Sequence, residues 1–230
     1  MKVSEAIEVT GGLSNPSKLP GASYGIPAHA CRAGSAIAQI NGSICSTCYA
    51  LAGRYLTTAV IDAQARRIAS LGHPDWLKAM VRLIRSRAEY HARQWAKASR
   101  AQRKAMRKRY AFRWHDAGDI QSLDHLLAIA QIARELPMVD FWLPTREVKM
   151  VRNFLAQFGA FPANLRVRLS ATMVDGAIPP SLPGIGTSGA HSAREHAHGF
   201  VCRAPSQDGH CRTCRACWSH DVDHVSYELH

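Results

Sequence analysis

Seven cysteines fall in two bunches of this 230-residue chain: Cys31, Cys45 and Cys48 near its start, and Cys202, Cys211, Cys214 and Cys217 near its end. An odd count in a chain without an export signal argues against a disulfide framework and for metal binding. The opening MKVSEAIEVTGG lacks the apolar core of such a signal, and no apolar run nears the roughly 18 residues of a membrane span. The expectation is a cytoplasmic protein with no membrane partner, whose thiols hold metal.

The later bunch is spaced Cys202-x8-Cys211-x2-Cys214-x2-Cys217, enough thiolates to complete one centre. A single zinc usually draws its ligands from two separated pairs, whereas three cysteines at consecutive two-residue gaps match the run that holds three corners of a [4Fe-4S] cluster. Iron–sulfur is the favoured reading, with zinc as the alternative metal. The earlier bunch, Cys31-x13-Cys45-x2-Cys48, leaves a centre one ligand short, and an incompletely ligated iron is where a substrate or cofactor binds. Two centres use the seven thiols with less waste than one centre drawn from both bunches.

With 47% hydrophobic and 20% charged residues the chain has the means for an ordinary core. Its 29 Lys and Arg against 17 Asp and Glu give a charge of +12, which points to an anionic partner. Between Glu89 and Asp116 there is no acid, while Arg93, Lys97, Arg100, Arg103, Lys104, Arg107, Lys108, Arg109 and Arg113 are all basic. Segment 93–113 is thus a candidate nucleic-acid face; the bland alternative is a solvated helix face.

The first 57 residues, rich in Gly, Ser, Pro and Asn, read as loops and short strands. Two helices divided near Gly72 and Pro74 account for 58–110, with Trp76, Met80, Leu83 and Ile84 at helical spacing. From Phe112 to Met173 the pattern is β-α-β-α-β. FRWHDAGDI, MVDFWLPT and NLRVRLSATM are strands, Ser122 and Thr145 cap the intervening helices, and Gly159 ends the second. That order predicts an α/β fold with a parallel sheet, open or part of a barrel. Residues 174–200 read as an extended loop leading to the second cysteine bunch. The expected division is a core over 1–173, with its helical segment and three-cysteine site, and a loop with a four-cysteine metal-binding tail over 174–230.

His115, Asp116 and Asp119 gather where a strand ends, the place ligands collect in parallel α/β folds. They are candidates for moving protons or binding an amine, or else Asp119 caps the next helix. Arg146 ends the second strand and Ser170 the third. Arg166 and Arg168 alternate with Leu165, Val167 and Leu169; inside a barrel they would hold carboxylate or phosphate, outside they would be surface charge. Twelve histidines, six of them near the terminal cysteines, offer further ligands, though most read as surface residues.

NPSKLP, CSTCYALAGRY, FRWHDAGDI and the terminal CRTCRACW block with Tyr227 and His230 together resemble the phage gene-product-88 family. That family is similar in outline to radical S-adenosylmethionine (SAM) enzymes, with a partial parallel (β/α) barrel and a three-cysteine [4Fe-4S] site. By this resemblance Cys31, Cys45 and Cys48 ligate the first cluster, and Cys202, Cys211, Cys214 and Cys217 an auxiliary one. SAM takes the open iron, Tyr49, Gly118, Asp119 and Ser170 line the cofactor, and the catalytic candidates are His115, Asp116, Asp119 and Arg146. The chain departs from the usual C-x3-C-x2-C pattern in its first gap and has no Gly-Gly-Glu-Pro run. The implied function is an iron–sulfur protein resembling radical SAM enzymes, acting on nucleic acid or a phosphorylated substrate, served by a reductant protein, in a host cytoplasm. Two rival classes stand beside it: a nucleic-acid-binding protein with structural metal sites, and a non-catalytic electron-transfer or cluster-sensing protein.

Overall fold

Strict alternation in three strands builds the centre of the molecule, which the computed structural model describes over residues 1–229, leaving His230 of the terminal block outside. In β2 (Tyr110–Trp114), β3 (Val139–Thr145) and β4 (Leu165–Val174), one face presents Phe112, Trp114, Phe141, Leu143, Val167 and Leu169, all buried. Against it pack α4 (Trp76–Lys97), α6 (Leu123–Glu135) and α7 (Val148–Phe158). Phe112, Trp114 and Phe141 meet edge-on or stacked, with centroids 5.0–6.3 Å apart. Each such side chain contributes about 1.5–3 kcal/mol by leaving water, so this layer dominates stability.

Shorter elements complete the molecule. α1 (Val3–Thr10) and α2 (Arg32–Ile37) form where the composition suggested only loops and short strands. α1 survives because Ala6 packs with Ala79 and Leu83 of α4, and Gly11, at φ 74, closes its end. α3 (Thr58–Ser70) and α4 are divided at Gly72 and Pro74 as expected, and α5 (Arg100–Ala105) follows. Ser122 caps α6, its Oγ accepting from His125 N at 3.1 Å. Thr145 does not cap α7. It ends β3, accepts from Glu147 N and donates to Asp119, so α7 starts after Glu147 with no side-chain cap.

The sheet has seven parallel strands in the order β1-β2-β3-β4-β5-β7-β6, adding β1 (Ser23–Tyr24), β5 (Gly186–His191), β6 (Phe200–Val201) and β7 (His224–Glu228). This is the expected α/β class with a parallel sheet. β1 and β6 are its outer strands, β1 also bridged by Ser14, and no pairing among the described residues joins them into a barrel. Residues 174–200, read as a loop, carry β5 and the first residue of β6. The strand GTSGAH hides from propensity because its small residues serve packing: a β-carbon on Gly186 would lie 2.7 Å from Arg168 Nη1 and 2.8 Å from Arg166 Nη2.

Strand order reverses after β6, since β7 inserts between β5 and β6. Parallel crossovers are right-handed, so a connection running back across the sheet must pass over the face opposite to α6 and α7. That connection is residues 202–223, which hold all four later cysteines. They do lie on the opposite face, where Cys217 and Trp218 pack with Ala111, Trp142 and Val225. Arg168, fully buried, fastens the crossover: its guanidinium donates to the carbonyls of Ala216, Cys217, Ser219, Val222, Asp223 and Thr187 at 2.7–3.3 Å. Arg166 donates to Gly184 O and Val222 O. Both arginines are thus neither surface charge nor open anion holders; backbone carbonyls occupy them.

Candidate functional site

Two thiol groups are assembled from opposite ends of the chain. The first rides on a loop laid over the C-terminal ends of β2, β3 and β4. Ser43 bridges to Met173, Ile44 N donates to Thr172 O, and Glu147 Oε1 accepts from Ala33 N at 2.9 Å. Tyr49 OH donates to Asp116 O at 2.6 Å. These ties carry Cys31 across the long first gap and back beside Cys45. Gly34 sits between them: a β-carbon there would be 3.5 Å from Cys45 Sγ and 3.6 Å from Cys31 Sγ, so any larger residue would fill the space between the two sulfurs.

Burial pushes the Cys31 thiol up to about 12, helped by the negative charges of Asp119, Cys48 and Cys45 and opposed by Arg146. Cys45 is raised by burial as well. Thiols of this kind keep their protons at neutral pH until a metal displaces them. In the second group burial raises Cys202 and Cys211 and takes Cys217 up to about 12, against a hydrogen bond with Tyr227 OH at 3.2 Å. Cys202, Cys211 and Cys217 each feel others of the set as charges. Among the described residues, no three His, Cys, Asp or Glu side chains converge closely enough to hold a metal ion. The thiols are gathered into a three and a four but not brought to ligand positions. The donor chemistry and the space at Gly34 fit a metal–thiolate centre.

The polar strand ends take distinct places. Asp119 is buried and accepts from Ile120 N, Thr145 Oγ1 and Arg146 N at 2.7–2.8 Å, and burial still lifts its carboxyl to about 6. It fixes the β3 turn, not the start of α6. Arg146 reaches Ala171 O at 3.3 Å and lies close enough to Cys31 and Cys45 to offset their charge. Asp116 accepts from Tyr55 OH at 3.3 Å through Oδ2, while its Oδ1 is buried without a partner. His115 has φ 52, both ring nitrogens unpartnered, and its ring 5.3 Å from that of His125. Burial drives both histidines down, His125 to about 4. Gly118, at φ 80, is required by Ile26, whose Cγ1 would be 2.3 Å from a β-carbon there. Ser170 Oγ is 3.3 Å from Ser188 Oγ, away from these contacts in the register of β4 and β5.

Tyr49 bonds Asp116, and Tyr55 rests against it with centroids 5.6 Å apart, beside a cavity of about 600 Å³ lined by residues 46–55. Of the terminal histidines, His191 bonds Ser226 and His224 bonds Thr187, so they are buried sheet partners and not surface residues.

The sequence pattern of the family described as Gene product 88 matches residues 3–220. The chain belongs to the gene product 88 family. No curated protein and no solved structure matches it. Within this gene product 88 chain, three site residues escaped the sequence reading of function: Trp142, Glu147 and Arg215. Arg113, read there as part of the basic segment 93–113, lies instead in β2 and donates to Tyr49 OH. Among the described residues no helix is long and apolar enough to cross a membrane.

Proposed function

We propose that the chain is an iron–sulfur protein with one centre on each thiol group, the three-thiol centre being the reactive one. The observation that carries this reading is the seating of Cys31, Cys45 and Cys48 over the C-terminal ends of parallel strands, where such sheets bind ligands, with one thiol fewer than a four-iron centre takes. When bound, such a centre supplies single electrons and an iron open to an outside ligand. The chain's own residues then receive that ligand. Arg146 offers a cation for a carboxylate, Tyr49 and Tyr55 wall the neighbouring cavity, and Asp119, lifted to about 6, exchanges a proton just below neutrality. S-adenosylmethionine, with its amino and carboxylate groups, is the cofactor of choice, and the one-sided helix layer agrees with a sheet curled part-way to a barrel.

Anaerobic expression in iron-replete medium, followed by iron and sulfide analysis, tests this. Iron with acid-labile sulfide, reduced by Cys45→Ala, and a reduced-state paramagnetic spectrum altered by S-adenosylmethionine, are expected. Stoichiometric zinc without iron refutes it.

A second reading, nucleic-acid binding with structural metals, is favoured by Lys97, Arg100, Lys104 and Lys108, which are exposed and make no ion pair among the described residues. Arg107 joins this segment to the crossover by donating to Thr213 O at 3.0 Å. Zinc together with salt-sensitive nucleic-acid binding would decide for it.

A further inference from the structure

The sheet face beneath the crossover holds N–H donors that nothing in the chain accepts. Arg113 and Trp142 are register partners on β2 and β3, and the guanidinium carbon of Arg113 stands 4.5 Å over the Trp142 ring. Arg113 Nε and Trp142 Nε1 are both buried and both without a partner. Trp142 is only 4% exposed. A third such donor, Arg215 Nε, comes from the crossover itself, between Cys214 and Cys217. An unmet buried donor costs about 1–3 kcal/mol, and a charged one more, so three within one neighbourhood mark a place meant for an acceptor.

Arg113 makes no ion pair among the described residues: its Nη2 reaches Tyr49 OH at 3.1 Å, and the Asp116 carboxylate is near enough to be felt as a charge but does not meet its Nε. A further acceptor for these donors can come from the crossover. Trp218 covers Trp142 at a centroid distance of 5.1 Å, which closes this face to an outside ligand. Asp223 of the same connection lies by Arg166, 3.8 Å from Nη2, and its side chain is fully exposed. What the crossover does bring here is thiols. Cys217 packs in one cluster with Trp142, and Cys211 feels the charges of both Arg113 and Arg215.

We infer that Arg113, Trp142 and Arg215 form a donor platform for the four-thiol site, giving N–H hydrogen bonds to the sulfurs of an anionic metal–thiolate centre held by Cys202, Cys211, Cys214 and Cys217. This rests on the proposal that those four thiols hold metal. The three residues are positioning residues: they touch the centre's sulfurs, not its substrate. Four thiolates on a divalent ion carry a net charge of −2, and donors kept dry beside them raise affinity by holding that charge without reorganisation. Arg113 also faces Tyr49 of the three-thiol loop, so the platform reaches from one thiol group to the other.

Cobalt(II) alone, titrated anaerobically into the reduced full-length chain in a Cys31→Ser, Cys48→Ser background, tests the inference through thiolate-to-cobalt absorption. Trp142→Phe removes one N–H and keeps the ring; Arg215→Gln removes a cationic donor. Each is expected to weaken cobalt binding about tenfold, in the range typical of groups that support metal ligands. Cobalt affinity unchanged in both variants, with native far-ultraviolet dichroism, overturns the platform and assigns the donors to internal water. Should Trp142→Phe fail to fold, Arg215→Gln decides alone. Absence of any thiolate–cobalt band before these substitutions, whether or not Cys214 is present, instead overturns the metal reading beneath it.

Discussion

Replacing Arg168 by Met should release the cysteine crossover from the sheet. The guanidinium is fully buried and donates to six carbonyls, five of them in residues 216–223. Burial lowers its pKa, so carbonyl dipoles, not a carboxylate, hold its charge in place. A hydrogen bond to a charged group contributes about 1.5–3 kcal/mol, and six such bonds taken singly would exceed the stability of most domains. They are not additive, and desolvation of the cation offsets much of their sum. Met fills the stem volume and leaves the carbonyls unmet, so the net loss should be about 3–5 kcal/mol, the cost of breaking a buried charged network. Arg168→Lys, with three donors in place of five, should lose roughly half of that. Urea unfolding followed by tryptophan fluorescence gives the free energies, and trypsin cleavage at Arg212 and Arg215 reports the crossover directly. A Met variant within about 1 kcal/mol of the parent, or one whose crossover stays as protected, would refute the reasoning.

Three further outcomes are expected. Ser122→Ala removes the cap of α6 and should cost about 1 kcal/mol by urea midpoint, with no change in the thiol groups. Stability should fall as pH drops below 6.5. Burial holds His125 near 4 and His115 well below its ordinary value, so the unfolded chain takes protons that the folded one refuses; Asp119, raised to about 6, works in the opposite sense as pH falls but is one group against these two. Melting temperature against pH, compared with His125→Phe, reads this directly. Charge reversal at Lys97, Arg100, Lys104 and Lys108 should abolish polyanion binding, whose log–log salt slope for four phosphate contacts is about −3 to −4 on duplex. Arg103→Glu should instead loosen α4, because that guanidinium donates to Trp95 O and Ala96 O at its end.

The parallel core was legible because its signals are local. Phe112, Phe141 and Val167 point one way and Arg113, Asp140, Arg166 and Arg168 the other, Ser122 sits at a helix start, and Gly159 at a helix end with φ 76. What stayed hidden depends on contacts distant in sequence. GTSGAH has little strand propensity to read, since Gly186 makes room for Arg166 and Arg168. The bunching of cysteines announced the two thiol groups, yet not that one lies over the strand ends and the other on the face opposite the helices. Their partners come from elsewhere: Glu147 reaches Ala33, and Trp142 meets Trp218, across separations no spacing rule encodes.

The reversed strand order has a consequence for how the molecule is made. β6 has β7 as its sole strand neighbour, and β7 enters between two strands that leave the ribosome before it. Until residues 224–228 emerge and slot in, β5 is an open edge and the crossover has nothing beneath its far end. Cys217, the buried one of the four later thiols, is therefore covered only when that gap in the sheet is filled. Insertion of β7 works as a latch that closes over Cys217 and holds the crossover against the sheet.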